Sequence, residues 1–132
     1  MRKRKKTMDI LTSLSKLLLP AEVFDYFTIT SVSDHGDEVE LFLEEKDVIH
    51  KPEKGHEYER NGFYETMTVQ DYPIRGKRAL LRIKRRRWVD KTTGRSVGND
   101  YELVAKGTRH SVEFAAFLKE FLGEIPDYGP LA

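Results

Sequence analysis

Residues 71–95, DYPIRGKRALLRIKRRRWVDKTTGR, contain the clearest strand pattern of this chain and ten of its 23 basic residues. Hydrophobic and charged side chains alternate over residues 79–89, as they do on a strand with one buried face. The apolar face consists of Ala79, Leu81 and Ile83. The basic face consists of Arg82, Lys84 and Arg86 and ends at Trp88. This pattern predicts that one face is buried and that the other contacts a polyanion.

Arg85 and Arg87 continue the apolar face beyond its last apolar residue. We therefore expect the far end of the strand to project from the core with positive charge on both sides. An alternative is that the arginines pair with the acidic segment 37–47 on a solvated face. For Trp88, the two interpretations are a core residue and a platform that stacks on a base. The candidate DNA-contacting residues are Lys77, Arg78, Arg82, Lys84, Arg85, Arg86, Arg87, Lys91 and Arg95.

The charges of the chain are segregated along its length, although the formal net charge is only +1. Residues 2–6 are all basic, residues 34–59 hold ten acidic and three basic residues, and residues 75–95 hold ten basic residues and one acidic residue. Local charge rather than net charge governs binding to nucleic acid. This distribution favours a nucleic-acid partner for the basic segment.

Composition excludes several classes of protein. The 132 residues suit one small domain, and the absence of cysteine excludes disulfides and thiolate metal sites. No apolar run reaches the length of a membrane span, and the start MRKRKK is not followed by a signal-peptide pattern. We expect a cytoplasmic protein without a membrane partner.

The first half of the chain is predicted to contain a disordered basic arm over residues 1–7 and an amphipathic helix over residues 8–19. A second short helix follows Pro20, and the alternation over residues 27–43 predicts a hairpin with one acidic face. Residues 45–62 show no period and are interpreted as a long connection.

In the second half, a strand over residues 63–69 and the strand that opens at Gly76 are predicted to be joined by a turn at Tyr72, Pro73 and Gly76. A hairpin turn is predicted over residues 91–94, followed by a final strand that contains Val97 and residues 101–105. Apolar residues then recur at helical spacing. They predict a helix over residues 111–122, with Ser111 as its N-cap, Gly123 as its stop and a flexible tail over residues 123–132.

Together these elements predict an α+β fold, in which N- and C-terminal helices flank a small twisted antiparallel sheet. Residues 8–122 are expected to form a single domain. The segment RRRWVDKTTGR, residues 85–95, could lie along a groove of DNA as a two-stranded ribbon.

Nothing in the sequence indicates catalysis or a cofactor. The four histidines, at positions 35, 50, 56 and 110, are scattered through predicted turns and loops. They do not have the spacing of a metal site, and no phosphate loop or nucleophile elbow is present. We expect no metal, no cofactor and no catalytic residue in this chain.

From about Leu17 to about Leu122, the chain resembles the N-terminal region of ISAon-family insertion-sequence transposases. The most specific parts are DYPIRGK at residues 71–77, KRRRW at residues 84–88 and KGTR at residues 106–109. The resemblance implies a DNA-binding module that recognises the terminal inverted repeats of the element. Strand transfer would belong to an acidic triad in a catalytic portion encoded downstream or joined by frameshifting. A homodimer is a further partner to consider.

These transposases are related to a broader class whose N-terminal region resembles a zinc ribbon. This chain has no cysteine near residues 52–55 or 89–94, where the metal-binding knuckles would lie, so zinc is not implied. A ribbon whose knuckles are replaced by packing is the expectation. The alternative functions are a free-standing RNA-binding protein that uses the same ribbon, and a protein-interaction domain that uses the acidic hairpin and the last helix.

Overall fold

The predicted α+β fold is confirmed by a computed structural model, which describes residues 18–74, 76–107 and 109–125. Within these residues the chain forms three helices and seven strands, which make a four-stranded and a three-stranded sheet. The helices are α1 (Val23–Tyr26), α2 (Tyr101–Gly107) and α3 (Val112–Glu124). The strands are β1 (Phe27–Asp34), β2 (Glu38–Glu45), β3 (Tyr58–Phe63), β4 (Met67–Ile74), β5 (Lys77–Lys84), β6 (Arg86–Asp90) and β7 (Arg95–Val97).

The predicted basic arm over residues 1–7, most of the predicted helix over residues 8–19 and the tail from residue 126 lie outside the described residues. Leu18 and Leu19 are described, and Leu19 is buried in the core. Gly123 and Glu124, which were expected to be in the tail, belong to α3.

The four-stranded sheet has the order β1-β2-β5-β4 and is antiparallel except at its centre. β1 and β2 form the predicted hairpin, β4 and β5 form a second hairpin, and β2 runs parallel to β5. Local alternation does not predict this parallel pair, because the two strands are joined by a long crossover that contains β3 and β4. The second sheet, β3-β6-β7, is antiparallel.

One long bent ribbon connects the two sheets. β3 and β4 pair successively with β6 and β5, and the Tyr64 amide bridges the two ladders by donating to the Arg85 carbonyl at 2.9 Å. The register shifts between Arg60 and Phe63 and again between Val69 and Tyr72. Such bulges bend a strand, so the two halves of the ribbon join different sheets.

Positive φ angles mark both register shifts. Gly62 has φ 75° and Asp71 has φ 55°, and this left-handed conformation is typical of bulged residues. The predicted long connection over residues 45–62 is wrong at its C-terminal end, because β3 begins at Tyr58. The predicted turn between β4 and β5 is present at Gly76, but Tyr72 and Pro73 are not part of it, because both lie in β4 and pair with β5.

The hydrophobic core lies between the four-stranded sheet and the helices. The predicted inward residues Ala79, Leu81 and Ile83 are completely buried. Helix α3 begins at the predicted cap, since the Ser111 hydroxyl accepts a hydrogen bond from the Phe114 amide at 3.1 Å. Its buried residues are Phe114, Phe117, Leu118 and Phe121.

The predicted strand over residues 101–105 is wrong, because these residues form helix α2. The Asp100 carboxylate accepts hydrogen bonds from the amides of Glu102 and Leu103, as a helix N-cap does. Tyr101 and Val104 are buried, which is the i, i+3 spacing of a helix face. The apolar run is too short for its spacing alone to distinguish a helix from a buried strand. The Asp100 cap favours the helix.

Candidate nucleic-acid interface

The basic face of β5 lies beside an acidic row on β2. The parallel register places Glu38 next to Arg78 and Glu44 next to Lys84. Between them, Arg82 donates from Nε to Glu40 Oε2 at 2.5 Å and from NH1 to Thr68 Oγ1 at 3.3 Å. The Arg82 guanidinium also holds the pKa of Glu40 below its ordinary value. Arg82 is therefore neutralised within the sheet.

Arg86 is also bound within the molecule. Its Nε donates to the Glu45 carbonyl at 2.8 Å, and its NH2 donates to Glu44 Oε2 at 3.3 Å. Arg82 and Arg86 therefore pair with carboxylates of the acidic hairpin, as the alternative interpretation predicted.

Arg85 is buried, so the expectation that it projects from the core is wrong. Its side chain continues the inward positions 79, 81 and 83 of β5, and its Cζ lies 5.0 Å from the centre of the Tyr64 ring. Its NH2 donates to the Asn99 carbonyl at 3.1 Å, and its Nε has no hydrogen-bond acceptor among the described residues. Tyr64 also packs beside Gly98, where a Cβ atom would come within 2.9 Å of the ring.

A buried carboxylate joins the two sheets at this bend. Glu45 is 1% exposed, and its Oε2 accepts hydrogen bonds from the Tyr101 hydroxyl and, at 2.9 Å, from Asn99 Nδ2. Its Oε1 accepts the Arg86 amide at 2.7 Å. Burial and the nearby Glu45 carboxylate raise the pKa of Tyr101 far above its ordinary value. This cluster was not predicted, although Glu45 continues the inward positions 41 and 43 of β2.

Four of the candidate cations from Lys84 onward stay available at the surface; Lys77, at the other end of the ribbon, is also exposed and forms no ion pair among the described residues. Among the described residues, no ion pair involves Lys84, Arg87, Lys91 or Arg95. Arg87 donates from Nε to the Asn61 carbonyl at 3.0 Å, and Lys84 Nζ lies 5.4 Å from the centre of the Phe63 ring. Lys84 is the last residue of β5, next to the bend, whereas Arg87 lies on β6, Lys91 lies in the turn that follows it and Arg95 begins β7. We call this half of the ribbon, β3, β6 and β7 with their turn, the arm.

Lys77 and Arg78 lie at the opposite end of the ribbon. At about 3.3 Å per residue, the strand path from Lys77 to Lys91 is roughly 45 Å long. Arg78 is 3.6 Å from Asp71, which it faces across the β4–β5 hairpin. The nine candidate residues therefore do not form one surface.

The turn at the tip of the arm is organised by Asp90. Its Oδ1 accepts hydrogen bonds from the Thr92 amide at 2.9 Å and the Thr93 amide at 3.4 Å, and its carbonyl accepts from the Gly94 amide at 2.6 Å. Gly94 has φ 77°, a conformation that favours glycine. The predicted hairpin turn over residues 91–94 is confirmed.

His56 joins the tip of the arm to the connection before β3. Its Nδ1 lies 2.7 Å from Asp90 Oδ2, and its Nε2 lies 3.2 Å from Glu53 Oε2. The hydrogen bond with Asp90 raises the pKa of His56. Burial tends to raise the pKa of Asp90, but bonds from His56 and the turn amides lower it on balance. Since both ring nitrogens face carboxylates, this geometry favours the imidazolium.

The His56 contacts join the two segments where zinc knuckles would lie in the broader transposase class. The Lys91 amide adds a hydrogen bond to the Glu57 carbonyl at 2.8 Å. Polar contacts rather than apolar packing thus connect these segments. Trp88, behind them, is 3% exposed, which confirms its interpretation as a core residue.

The other histidines make separate contacts. His35 lies beside Glu40, His50 packs on Tyr26, and His110 lies 3.1 Å from the Ala105 carbonyl. In the described ranges, no three histidine or carboxylate residues come together in a way that could hold a metal ion. The same ranges contain no helix with the length and apolar character needed to cross a membrane.

Comparison of the chain with protein-family models, curated proteins and solved structures finds no match.

Proposed function

We propose that this chain is the DNA-binding N-terminal portion of an insertion-sequence transposase. It would act in the cytoplasm and recognise the terminal inverted repeats of the element as double-stranded DNA. Strand transfer would come from a separate portion that carries an acidic catalytic triad. The sequence resemblance motivates this proposal, and one structural observation carries it. The arm keeps a set of surface cations without carboxylate partners, while other cations of the same ribbon are neutralised internally.

The shape of the arm supports contact with a duplex. It is a small three-stranded sheet whose β6–β7 hairpin forms a two-stranded tip, a shape that the major groove of DNA admits. Arg87 lies near the bend, whereas Lys91 and Arg95 lie at the turn, so cations are available along the length of β6. Because Arg82, Arg85 and Arg86 are engaged inside the molecule, we assign the phosphate contacts to Lys84, Arg87 and Lys91. Arg95, at the start of β7, is the residue assigned to a base edge.

The test is a salt titration of binding to a duplex with the terminal inverted repeat and to a random duplex of equal length. Arg87→Ala should weaken binding to both duplexes and lower the salt slope by about one unit, because a phosphate contact does not depend on sequence. Arg95→Ala should cost roughly 1 to 3 kcal/mol on the inverted repeat and little on random DNA, since arginine can bind a guanine edge through two hydrogen bonds.

Arg78→Ala is the matched control. It removes one positive charge at the opposite end of the ribbon, so its slope should stay close to that of the wild type. Equal slopes for the Arg87→Ala variant and the wild type would reject the arm as the DNA surface. Equal or tighter binding to structured RNA would favour the RNA-binding alternative.

A further inference from the structure

A groove crosses the face of the four-stranded sheet that points away from the helices. Its volume is about 430 Å³, within the size range of small-ligand sites. It extends from the bulge of β1 at Thr30 and Ser31, across Phe42 on β2, to Arg82 on β5. Thr66, at the bend of the ribbon, closes the far end. The groove is thus continuous with the base of the arm.

Two basic side chains of the groove could donate to one phosphate: Lys84, which keeps its charge, and Arg82, whose charge is balanced by Glu40 but which keeps one donor nitrogen. Glu40 and Thr68 hold Arg82 through Nε and NH1, and its NH2 makes no hydrogen bond to the described residues. The guanidinium is therefore fixed in place with one nitrogen available. Lys84 also lines the groove and forms no ion pair within the described residues. A phosphate between these two groups would gain charge-assisted hydrogen bonds.

The remaining walls are suited to a base. Phe42 is half-buried, and its ring is the aromatic surface of the groove. An aromatic ring of this kind stacks on any nucleobase. The hydroxyls of Thr30, Ser31 and Thr66 supply donors and acceptors around it.

We propose that this groove binds a single unstacked nucleotide, with its base on Phe42 and its phosphate between Arg82 and Lys84. This inference rests on the proposed function in one respect, since it takes the nucleotide to be an unpaired end of the DNA held by the arm. The same chemistry would recognise a free nucleoside monophosphate. Glu44 also lines the groove, so a second or third phosphate beside it would meet a like charge.

The experiment compares a blunt duplex with one that carries a single unpaired 2-aminopurine nucleotide at its 5′ end. The wild type should bind the tailed duplex about 5- to 150-fold more tightly, the range that corresponds to stacking of one base. The fluorescence of 2-aminopurine should change on binding, because its stacking environment changes.

Phe42→Leu is the diagnostic variant, because it keeps an apolar side chain on the sheet but removes the aromatic face. It should lose most of the preference for the tailed duplex while its affinity for the blunt duplex is unchanged. Arg87→Ala should weaken binding to both duplexes by the same factor and leave the preference intact. The thermal midpoint of each variant is compared with that of the wild type to confirm that it is folded.

Equal affinity of the wild type for tailed and blunt duplexes would overturn the assignment of the groove to a DNA end, and absence of monophosphate binding as well would overturn the whole inference. Binding to neither duplex would instead overturn the proposed function. Binding of deoxyadenosine monophosphate and of deoxyadenosine triphosphate is measured to distinguish a free nucleotide from the unpaired end of a DNA strand. One outcome would assign the groove to free nucleotides: the monophosphate binds better than the triphosphate, and Phe42→Leu abolishes this binding, but the unpaired tail has no effect on duplex binding. In that case the assignment to a DNA end fails.

Discussion

The two halves of the long ribbon are held by different forces. The four-stranded half packs on α2 and α3, and its main cluster of buried side chains is apolar throughout. In the described part of the three-stranded half, Trp88 is the buried apolar residue, and Asp90, His56 and backbone amides hold the tip. One half therefore depends on hydrophobic burial, and the other depends on charges and hydrogen bonds. Substitutions that leave cavities should destabilise the four-stranded half, and a change of pH should affect the three-stranded half.

The largest effect is expected from Phe117→Ala. Phe117 is 1% exposed and packs against Phe114, Phe121 and Tyr72. Removing its ring leaves a cavity between α3 and the sheet, which should lower the free energy of unfolding by roughly 3 to 5 kcal/mol. Urea denaturation measures this change. Val112→Ala, at a position 83% exposed on the same helix, is the control and should change it by less than about 0.5 kcal/mol.

A loss below about 1 kcal/mol for Phe117→Ala would contradict a core held by packing of α3. It would also weaken the contrast between the two halves of the ribbon.

Glu45→Ala should have an intermediate effect, because Glu45 lies where the two halves meet. Without this carboxylate, the Tyr101 hydroxyl and Asn99 Nδ2 lose a buried acceptor, which should cost roughly 2 to 4 kcal/mol in unfolding free energy. Hydrogen exchange should show a larger loss of protection in the arm than in β2 and β5. Glu45→Gln keeps an acceptor oxygen and should cost less than Glu45→Ala. Equal loss of protection in both sheets would mean that Glu45 supports the whole fold rather than the junction.

The smallest effect is a pH dependence confined to the arm. The pKa of His56 is raised above 6.5 in the folded chain, so its stabilising contribution is complete below pH 6.5 and is lost as pH rises through the raised pKa. Amides of the turn at residues 91–94 should therefore exchange faster, relative to their intrinsic rates, as pH rises through that window. His56→Gln should remove this pH dependence, and His35→Gln, in an exposed pair with Glu40, should not.

A titration of His56 by NMR checks the same prediction directly. A midpoint at or below 6.5 would show that the paired carboxylates do not hold the imidazolium in solution.

Much of the fold could be predicted from local pattern. The β1–β2 hairpin, the turn after β6 and the Ser111 cap all follow from residues close together in the chain. Helix α2 was missed because Tyr101, Val104 and Ala105 form too short a run to separate helical spacing from a buried strand. The parallel pairing of β2 with β5 was missed because it joins segments about 40 residues apart.

The candidate site was harder to predict than the fold. Alternation correctly placed Arg82 and Arg86 on the face opposite to the core, but it could not show which residues lie on the neighbouring strand. There, Glu40 and Glu44 neutralise them. His56 was seen only as an isolated histidine, because its partner Asp90 is 34 residues away.

The sequence by itself determined the alternation of β1, β2 and β5, the cap of α3, the turn at residues 91–94 and the concentration of basic residues on β5 and β6. These depend on side chains within a few positions of one another. Only the tertiary structure decided which cations stay available, because neutralisation depends on carboxylates that the pairing of β2 with β5 brings close. It also decided that Arg85 is buried: alternation places this residue on the inward face, but only the packing of Tyr64 and the Asn99 carbonyl against its side chain shows that the interior extends that far.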